Sequence, residues 1–429
     1  VDCYRQFRVN GHNLQYWILK HNGGEGVNSP FALLMKKIIS HIIGMSLCAL
    51  AILPPFNDKI PMFNIDGTVG STWNLEIPIM VNSFLWTYLV IVIGLLCAKL
   101  WSCKISLIMK AMASYMYVAC YFSVAPYISF NAMLFVVPSI YLFILIKNNV
   151  DPKIIIDWIV ALFWFELLMC VMQYIGRDKL LNFDRPQKVF LGTVMQHMRS
   201  GSLIAIMAPF LLLRNKLFII PLVIVAFIMS SSNLAISLAV GAFAYFILCD
   251  MSPKRKCLIL GGVLGVAVIH SIHNQSSFIT AFTIGRIPVW GRIIATGLGG
   301  VYHSTVLSFP DLLRGFLTSF KGHGLNIFPV LFPVLIEDAN PFAQCHNDWM
   351  QIWWELGKIG LGLAVSYCIV LARNLYAKRE ILYIVGIVII STNMCFAFPT
   401  YMLAQTPLMM LCFFALCEKA ACKKEEQNA

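Results

Sequence analysis

The chain has 429 residues, of which 59% are apolar and only 12% charged, with a mean hydropathy of +0.76. That leaves too little polar surface to cover a water-soluble body. The formal net charge is +12, but Lys and Arg fall in small clusters between apolar stretches instead of along one polar face, which argues against a nucleic-acid binder and marks membrane topology.

The composition therefore predicts an all-α polytopic membrane protein. Residues 1–35 are polar, carry Gly and Asn, and show neither a short apolar core nor a small-residue cleavage site, so residues 1–37 read as a cytoplasmic N-terminal segment and not as a cleavable signal peptide. A spanning helix needs about 20 mostly apolar residues. Candidate stretches lie near 38–54, 78–98, 105–123, 126–146, 154–175, 200–213, 217–230, 232–249 and 257–270. A long segment over 271–346 interrupts them, and three more follow within 347–418, near 347–372, 382–398 and 402–417, before a tail at 419–429. The expectation is thus about twelve spans.

The connections set the orientation, because short cytoplasmic loops collect Lys and Arg. Every second loop does so: Lys99 and Lys104, Lys147 and Lys153, Arg214 and Lys216, Lys254 to Lys256, then Arg373, Lys378 and Arg379. The loops near 124, 231 and 399 carry no basic residue. Both termini should therefore be cytoplasmic and the 271–346 segment external. Of the 14 cysteines nearly all lie in apolar stretches or on the cytoplasmic side, with Cys345 alone in a sizeable external segment, so no structural disulfide is expected. No internal repeat, P-loop, dinucleotide fingerprint, Cys-x-x-Cys pair or His-x-x-x-His pair is present, so ATP-driven transport and zinc chemistry are not expected, and no cofactor or metal is assigned.

At about 75 residues the external segment exceeds ordinary connections, and long ordered loops commonly carry function. Its first part holds Gly285-Arg286-Ile287-Pro288-Val289-Trp290-Gly291-Arg292, two cations in apolar surroundings. The planar guanidinium fork suits phosphate oxygens; equally, both arginines can reach to lipid headgroups beside an interfacial Trp. Further on, Lys321-Gly322-His323-Gly324-Leu325-Asn326-Ile327-Phe328 forms a glycine-bracketed turn that lets backbone approach a ligand closely. The segment ends in His346-Asn347-Asp348-Trp349-Met350-Gln351, continuing through Trp354-Glu355-Leu356-Gly357-Lys358-Ile359-Gly360. Helical spacing aligns Asn347, Gln351 and Glu355 in one polar stripe, which should face protein or a watery cavity instead of lipid. His346 stands at the mouth of that stripe, where an imidazole can take a proton from a hydroxyl nucleophile; a cap or an interfacial residue is the plainer reading.

With these motifs in view, the sequence resembles the O-antigen ligase and O-antigen polymerase superfamily. The family signature is His, then Asn, Ser or Gln, nine residues, Gly, two residues, and Gly, Thr or Tyr. Here His346-Asn347 is followed by nine residues to Gly357, then Lys358-Ile359 and Gly360. Arg286 with Trp290 is similar to the family's Arg-x-x-x-Trp, and Gly322-His323-Gly324-Leu325 with Phe328 is similar to its Gly-x-Gly turn. Weaker similarity runs through Gln173-Tyr174-Ile175-Gly176 and the sixth span, so the resemblance covers the chain from about residue 150 onward.

The resemblance implies a GT-C-like, all-helical, metal-independent glycosyltransferase of the bacterial inner membrane, working on its periplasmic side. The donor would be an undecaprenyl-diphosphate-linked glycan and the acceptor a lipid A-core, another glycan or a protein hydroxyl, with no nucleic acid involved. On matching positions His346 would activate the acceptor hydroxyl and Arg286 would hold the diphosphate, with Arg292, Trp290, Asn347, Gln351 and His323 around the substrates. Where the family often has an arginine just after a Ser at the outer start of an earlier span, this chain has Ser230-Ser231-Ser232-Asn233, and neutral Asn233 cannot replace that charge. Arg199 near the outer start of the sixth span is the substitute candidate, with Arg177, Arg185 and Lys188 as others. Glu166 lies mid-span among Trp164, Phe165 and Leu167 and should have a partner within the bundle; in a carrier of lipid-linked saccharides, the reading from another class, it would instead couple transport to protons.

Overall fold

The computed structural model describes residues 30–52, 106–175, 197–228, 232–249, 261, 322–328, 347–396 and 405–422. These residues are overwhelmingly helical, and no strand occurs among them. We number the helices α1 (Pro30–Ile52), α2 (Leu107–Tyr121), α3 (Pro126–Asn149), α4 (Pro152–Tyr174), α5 (His197–Arg214), α6 (Ile219–Ile228), α7 (Ser232–Leu248), α8 (Asp348–Ala377), α9 (Ile381–Phe396) and α10 (Gln405–Cys422). The stretches expected near 78–98 and 257–270 fall outside the described residues but for Gly261.

The helix starts are written in the sequence. Ser106 accepts from the Met109 amide to cap α2, and Asp151 accepts from the Lys153 amide at 3.0 Å to cap α4. Pro126 and Pro152 occupy first-turn positions of α3 and α4, where a missing N–H costs nothing. Asn215 caps a short 3-10 turn, Lys216–Phe218, through the Leu217 amide at 3.0 Å.

Helix α5 is the hub, packing on α4, α7, α9 and α10. Ala205, Ile206, Met207, Ala208, Phe210 and Leu211 on successive faces are all fully buried, as expected of a helix apolar all round. Phe210 meets Phe413 of α10 edge to face, with ring centroids 5.5 Å apart. Close approach relies on small residues: a Cβ on Gly386 would lie 2.8 Å from the Pro209 ring, and one on Gly241 of α7 2.4 Å from Ile389 of α9.

Two helices, Pro152–Gln173 within α4 and Asp348–Ala377, are long and apolar enough to cross a membrane; Ser200–Arg214, Lys216–Ala226, Leu234–Leu248 and Ile381–Cys395 are shorter apolar helices. The ten residues of α6 rise only about 15 Å, half of a hydrocarbon core.

One end of the bundle gathers charge. There the Lys147 ammonium bonds Glu418 of α10 at 2.6 Å, Ser106 donates to the other oxygen of Glu418 at 2.9 Å, and Lys419 donates to the Val150 carbonyl. Arg214 pairs with Asp157 at 3.0 Å nearby, half exposed, which contributes little. Arg373, near the end of α8, and Lys378 and Arg379, on the α8–α9 connection, lie at the same end. The opposite end carries the α2–α3 turn, the start of α8 and the Gly322–Phe328 segment.

Candidate functional site

At that opposite end α8 begins with Asn347 outside the helix, its Oδ1 accepting from the Met350 amide at 3.0 Å and its Nδ2 donating to the Cys395 carbonyl at 3.0 Å. The Trp349 indole donates to the Ser391 carbonyl at 2.9 Å, so the first turn of α8 is pinned to α9 on two rungs.

Helix α8 breaks at Gly357, which holds φ +67° and ψ −168°, a conformation essentially restricted to glycine. A helix that stops there leaves the carbonyls of its last turn without their intrahelical donors. The chain satisfies them from elsewhere. The His323 amide donates to the Trp354 carbonyl at 3.1 Å, the Gly324 amide to the Glu355 carbonyl at 2.9 Å, and the Tyr115 hydroxyl of α2 to the Leu356 carbonyl at 2.8 Å.

The donors can arrive because glycine faces glycine. Gly322 sits at φ +77°, and a Cβ there would lie 2.3 Å from the Glu355 oxygen and 2.5 Å from the Gly357 nitrogen. Gly324, at φ +116°, presses on the α2–α3 turn, where a Cβ would lie 2.0 Å from Ser123 Oγ. Ser123 Oγ and the Val124 amide both donate to the His323 carbonyl, at 3.1 and 2.9 Å, and Ser129 Oγ donates to the Leu325 carbonyl at 2.9 Å.

Glu355 organises the interior of the turn. Its side chain is fully buried, and its two oxygens accept from the Asn326 amide at 2.8 Å, the Phe328 amide at 3.4 Å and Gln351 Nε2 at 3.1 Å. Converging N–H donors are what stabilises a carboxylate away from water. The expected stripe of Asn347, Gln351 and Glu355 is therefore a real face of α8, all three residues are buried, and it faces protein. In this structure the Asn347 and Gln351 amides position the helix and the turn.

His323 lies half-buried on the Trp354 indole, ring centroids 4.1 Å apart and 21° from parallel, and Phe328 meets the same indole edge to face at 5.2 Å. Of the other residues singled out in the sequence, His346, Arg286, Trp290 and Arg292 lie outside the described residues, as do Arg177, Arg185 and Lys188. Arg199 belongs to the first turn of α5, with its side chain outside what is described, as is that of Asn233 at the start of α7. Glu166 is buried and does have an interaction partner.

Sequence reasoning missed Ser123, Ser129, Tyr115 and the role of Trp354. Ser123 stands in a Ser-Val-Ala-Pro turn, a recognisable breaker, but its partner is 200 residues away, and no local pattern encodes that. No protein-family model matches the chain, and no curated protein matches it.

Proposed function

We propose that this chain is a membrane-embedded glycosyltransferase that moves a glycan from undecaprenyl diphosphate to an acceptor hydroxyl, in the manner of an O-antigen ligase with lipid A-core as acceptor. The observation that carries this reading is the backbone contact between two motifs of the resemblance: Gly322-His323-Gly324 closes over Gly357 of the His346–Gly360 signature and caps the carbonyls that Gly357 frees.

A bilayer setting is supported by the apolar exterior. Leu107, Leu168, Ile220, Ile247 and Ile369 are between 55% and 81% exposed, far more large apolar surface than a water-facing bundle carries. The gathering of Lys147, Arg214, Arg373 and Lys419 at one end supports placing that end in the cytoplasm and the site at the periplasmic face of the inner membrane. On this reading the described helices belong to a GT-C-like bundle of about twelve spans with both termini inside.

In the reaction the acceptor oxygen forms a bond to the anomeric carbon as its proton passes to the His346 imidazole. The bond from that carbon to the diphosphate oxygen breaks, and the electron pair leaves with undecaprenyl diphosphate. Displacement from the far side inverts the anomeric configuration. Diphosphate is already a good leaving group, so the protein's main electrostatic task is to match its charge with fixed cations, which falls to Arg286 with Arg292 or Arg199.

The test is transfer of labelled undecaprenyl-diphosphate glycan in proteoliposomes offered lipid A-core, a second repeat unit, or a protein acceptor. Wild type should yield acceptor-linked product, and the acceptor used separates ligase from polymerase and protein transferase. His346→Ala should lose about 10²–10⁴-fold in rate, the usual worth of general-base assistance, with Arg286→Ala also impaired and both variants folded. Full transfer by both variants would refute the site; movement of intact donor between leaflets without transfer would identify a carrier.

A further inference from the structure

The His323 ring keeps one polar atom without a partner among the described residues. Its Nδ1 lies 2.9 Å from the Trp354 carbonyl oxygen. A carbonyl only accepts, so Nδ1 carries the hydrogen, and in the neutral ring the lone pair is then on Nε2. The amide of His323 donates to that same carbonyl and its own carbonyl accepts from Val124 and Ser123. Nε2 takes no partner among the described residues.

The ring is also held still. The Trp354 indole lies against one face, and glycines at φ +77° and +116°, with no room for a Cβ, fix the backbone on either side. A rigid, half-exposed imidazole with its tautomer set from behind and a free acceptor in front has the form of a group waiting for a hydroxyl.

We propose that His323 Nε2 accepts a hydrogen bond from a hydroxyl of the bound saccharide. His323 is assigned as a binding residue, while the proton of the reacting hydroxyl is assigned to His346. The saccharide's role rests on the transferase reading; the hydrogen bond itself does not require turnover. The saccharide belongs either to the lipid-linked donor or to the acceptor, and the experiment separates them.

Two variants divide the ring's functions. His323→Asn keeps a donor where Nδ1 stood and removes the acceptor at Nε2; His323→Gln extends an amide to the Nε2 position. In nanodiscs, the dissociation constants of undecaprenyl-diphosphate glycan and of lipid A-core lipooligosaccharide are measured for wild type and both variants, and wild-type transfer is assayed alongside. His323→Asn should weaken one of the two by about tenfold, the loss of one hydrogen bond, and His323→Gln should recover most of it. The ligand affected identifies the source. Unchanged affinity for both saccharides in His323→Asn overturns the proposal while leaving transfer, if wild type shows it, intact. A shift with no wild-type transfer overturns the transferase reading and leaves the contact standing. Failure of wild type to bind either saccharide overturns both.

Discussion

Glu355→Ala is the perturbation that bears most directly on how the site is assembled. The carboxylate is fully buried and accepts from Asn326 N–H at 2.8 Å, Gln351 Nε2 at 3.1 Å and, more weakly, Phe328 N–H at 3.4 Å. A hydrogen bond to a charged group contributes about 1.5–3 kcal/mol, and a donor left unpaired in the interior adds its own desolvation cost. Counting the two short bonds alone, truncation should destabilise the docked turn by about 3–6 kcal/mol. The turn is still held by Gly324 N–H on the Glu355 carbonyl and by Ser123 and Ser129, so it should loosen locally before the bundle unfolds. Amide hydrogen exchange reads this directly. At the low end of the range, protection of Asn326 and Phe328 falls by on the order of a hundredfold, 1.4 kcal/mol being tenfold, while amides in the middle of α5 keep theirs. Glu355→Gln should lie between, since one oxygen survives while the new NH₂ confronts a donor. If exchange at Asn326 and Phe328 is unchanged in Glu355→Ala, the carboxylate is not what secures the turn and the account of the site fails.

Three further outcomes follow from local geometry. Gly357→Ala forces a side chain into φ +67° beside Gly322 and should cost about 1–3 kcal/mol, seen as a lower thermal midpoint in detergent together with faster exchange at His323 and Gly324; a midpoint equal to wild type would mean the break in α8 is not imposed by glycine. Removing one partner of the Lys147–Glu418 pair, as in Lys147→Met, should destabilise by about 3–5 kcal/mol through the buried charge left behind, and Lys147→Met with Glu418→Leu should recover most of it; an equally unstable double variant would contradict that mechanism. Asn393 on α9 is fully buried with neither amide atom bonded, so Asn393→Leu should raise the thermal midpoint by removing about 1–3 kcal/mol of unpaired desolvation, and a lowered midpoint would show that the amide has a partner in the membrane.

The helices were legible because each announces itself locally. Apolar run length located α4 and α8, and Asp151-Pro152 and Ser106 fixed starts to within a few residues of the expected 154 and 105. Helix α1 is the instructive difference: it begins at Pro30, ahead of the expected start near 38, because Phe31-Ala32-Leu33-Leu34-Met35 is a second apolar, helix-forming run that Lys36 and Lys37, good helix formers themselves, join to the first without a break. Within the site, the i, i+4 spacing of Asn347, Gln351 and Glu355 was readable, and so was the glycine turn around His323. What those features touch was not. The partner of Glu355 is the backbone of Asn326 and Phe328, and backbone amides have no residue-type signature; the same holds for Ser123 on the His323 carbonyl. A polar stripe entering an apolar helix is compatible with a water-filled cavity, and only the docked turn shows that it faces protein.

Gly357 and Gly360 can now be given separate physical duties. Gly357 ends the first part of α8 by adopting a conformation other residues resist, and so converts three backbone carbonyls, of Trp354, Glu355 and Leu356, from internal helix acceptors into a surface that other segments must cap. Gly360 is one turn on, where a Cβ would lie 2.2 Å from the Leu356 Cβ, so its absent side chain lets the helix resume directly behind the break. The Gly322-His323-Gly324 turn supplies the matching donors. Its φ values and its lack of Cβ atoms are requirements set by the α8 break. The spacing between Asn347 and Gly357 then has a mechanical meaning: it is the length of helix between the cap that ties α8 to α9 and the break that receives the turn. An insertion or deletion of one residue there would rotate Glu355 by about 100° away from Asn326 while leaving both ends intact. Such variants should therefore insert and fold as a bundle but fail to dock the turn, and normal protection at Asn326 in a one-residue insertion after Met350 would refute this reading of the spacing.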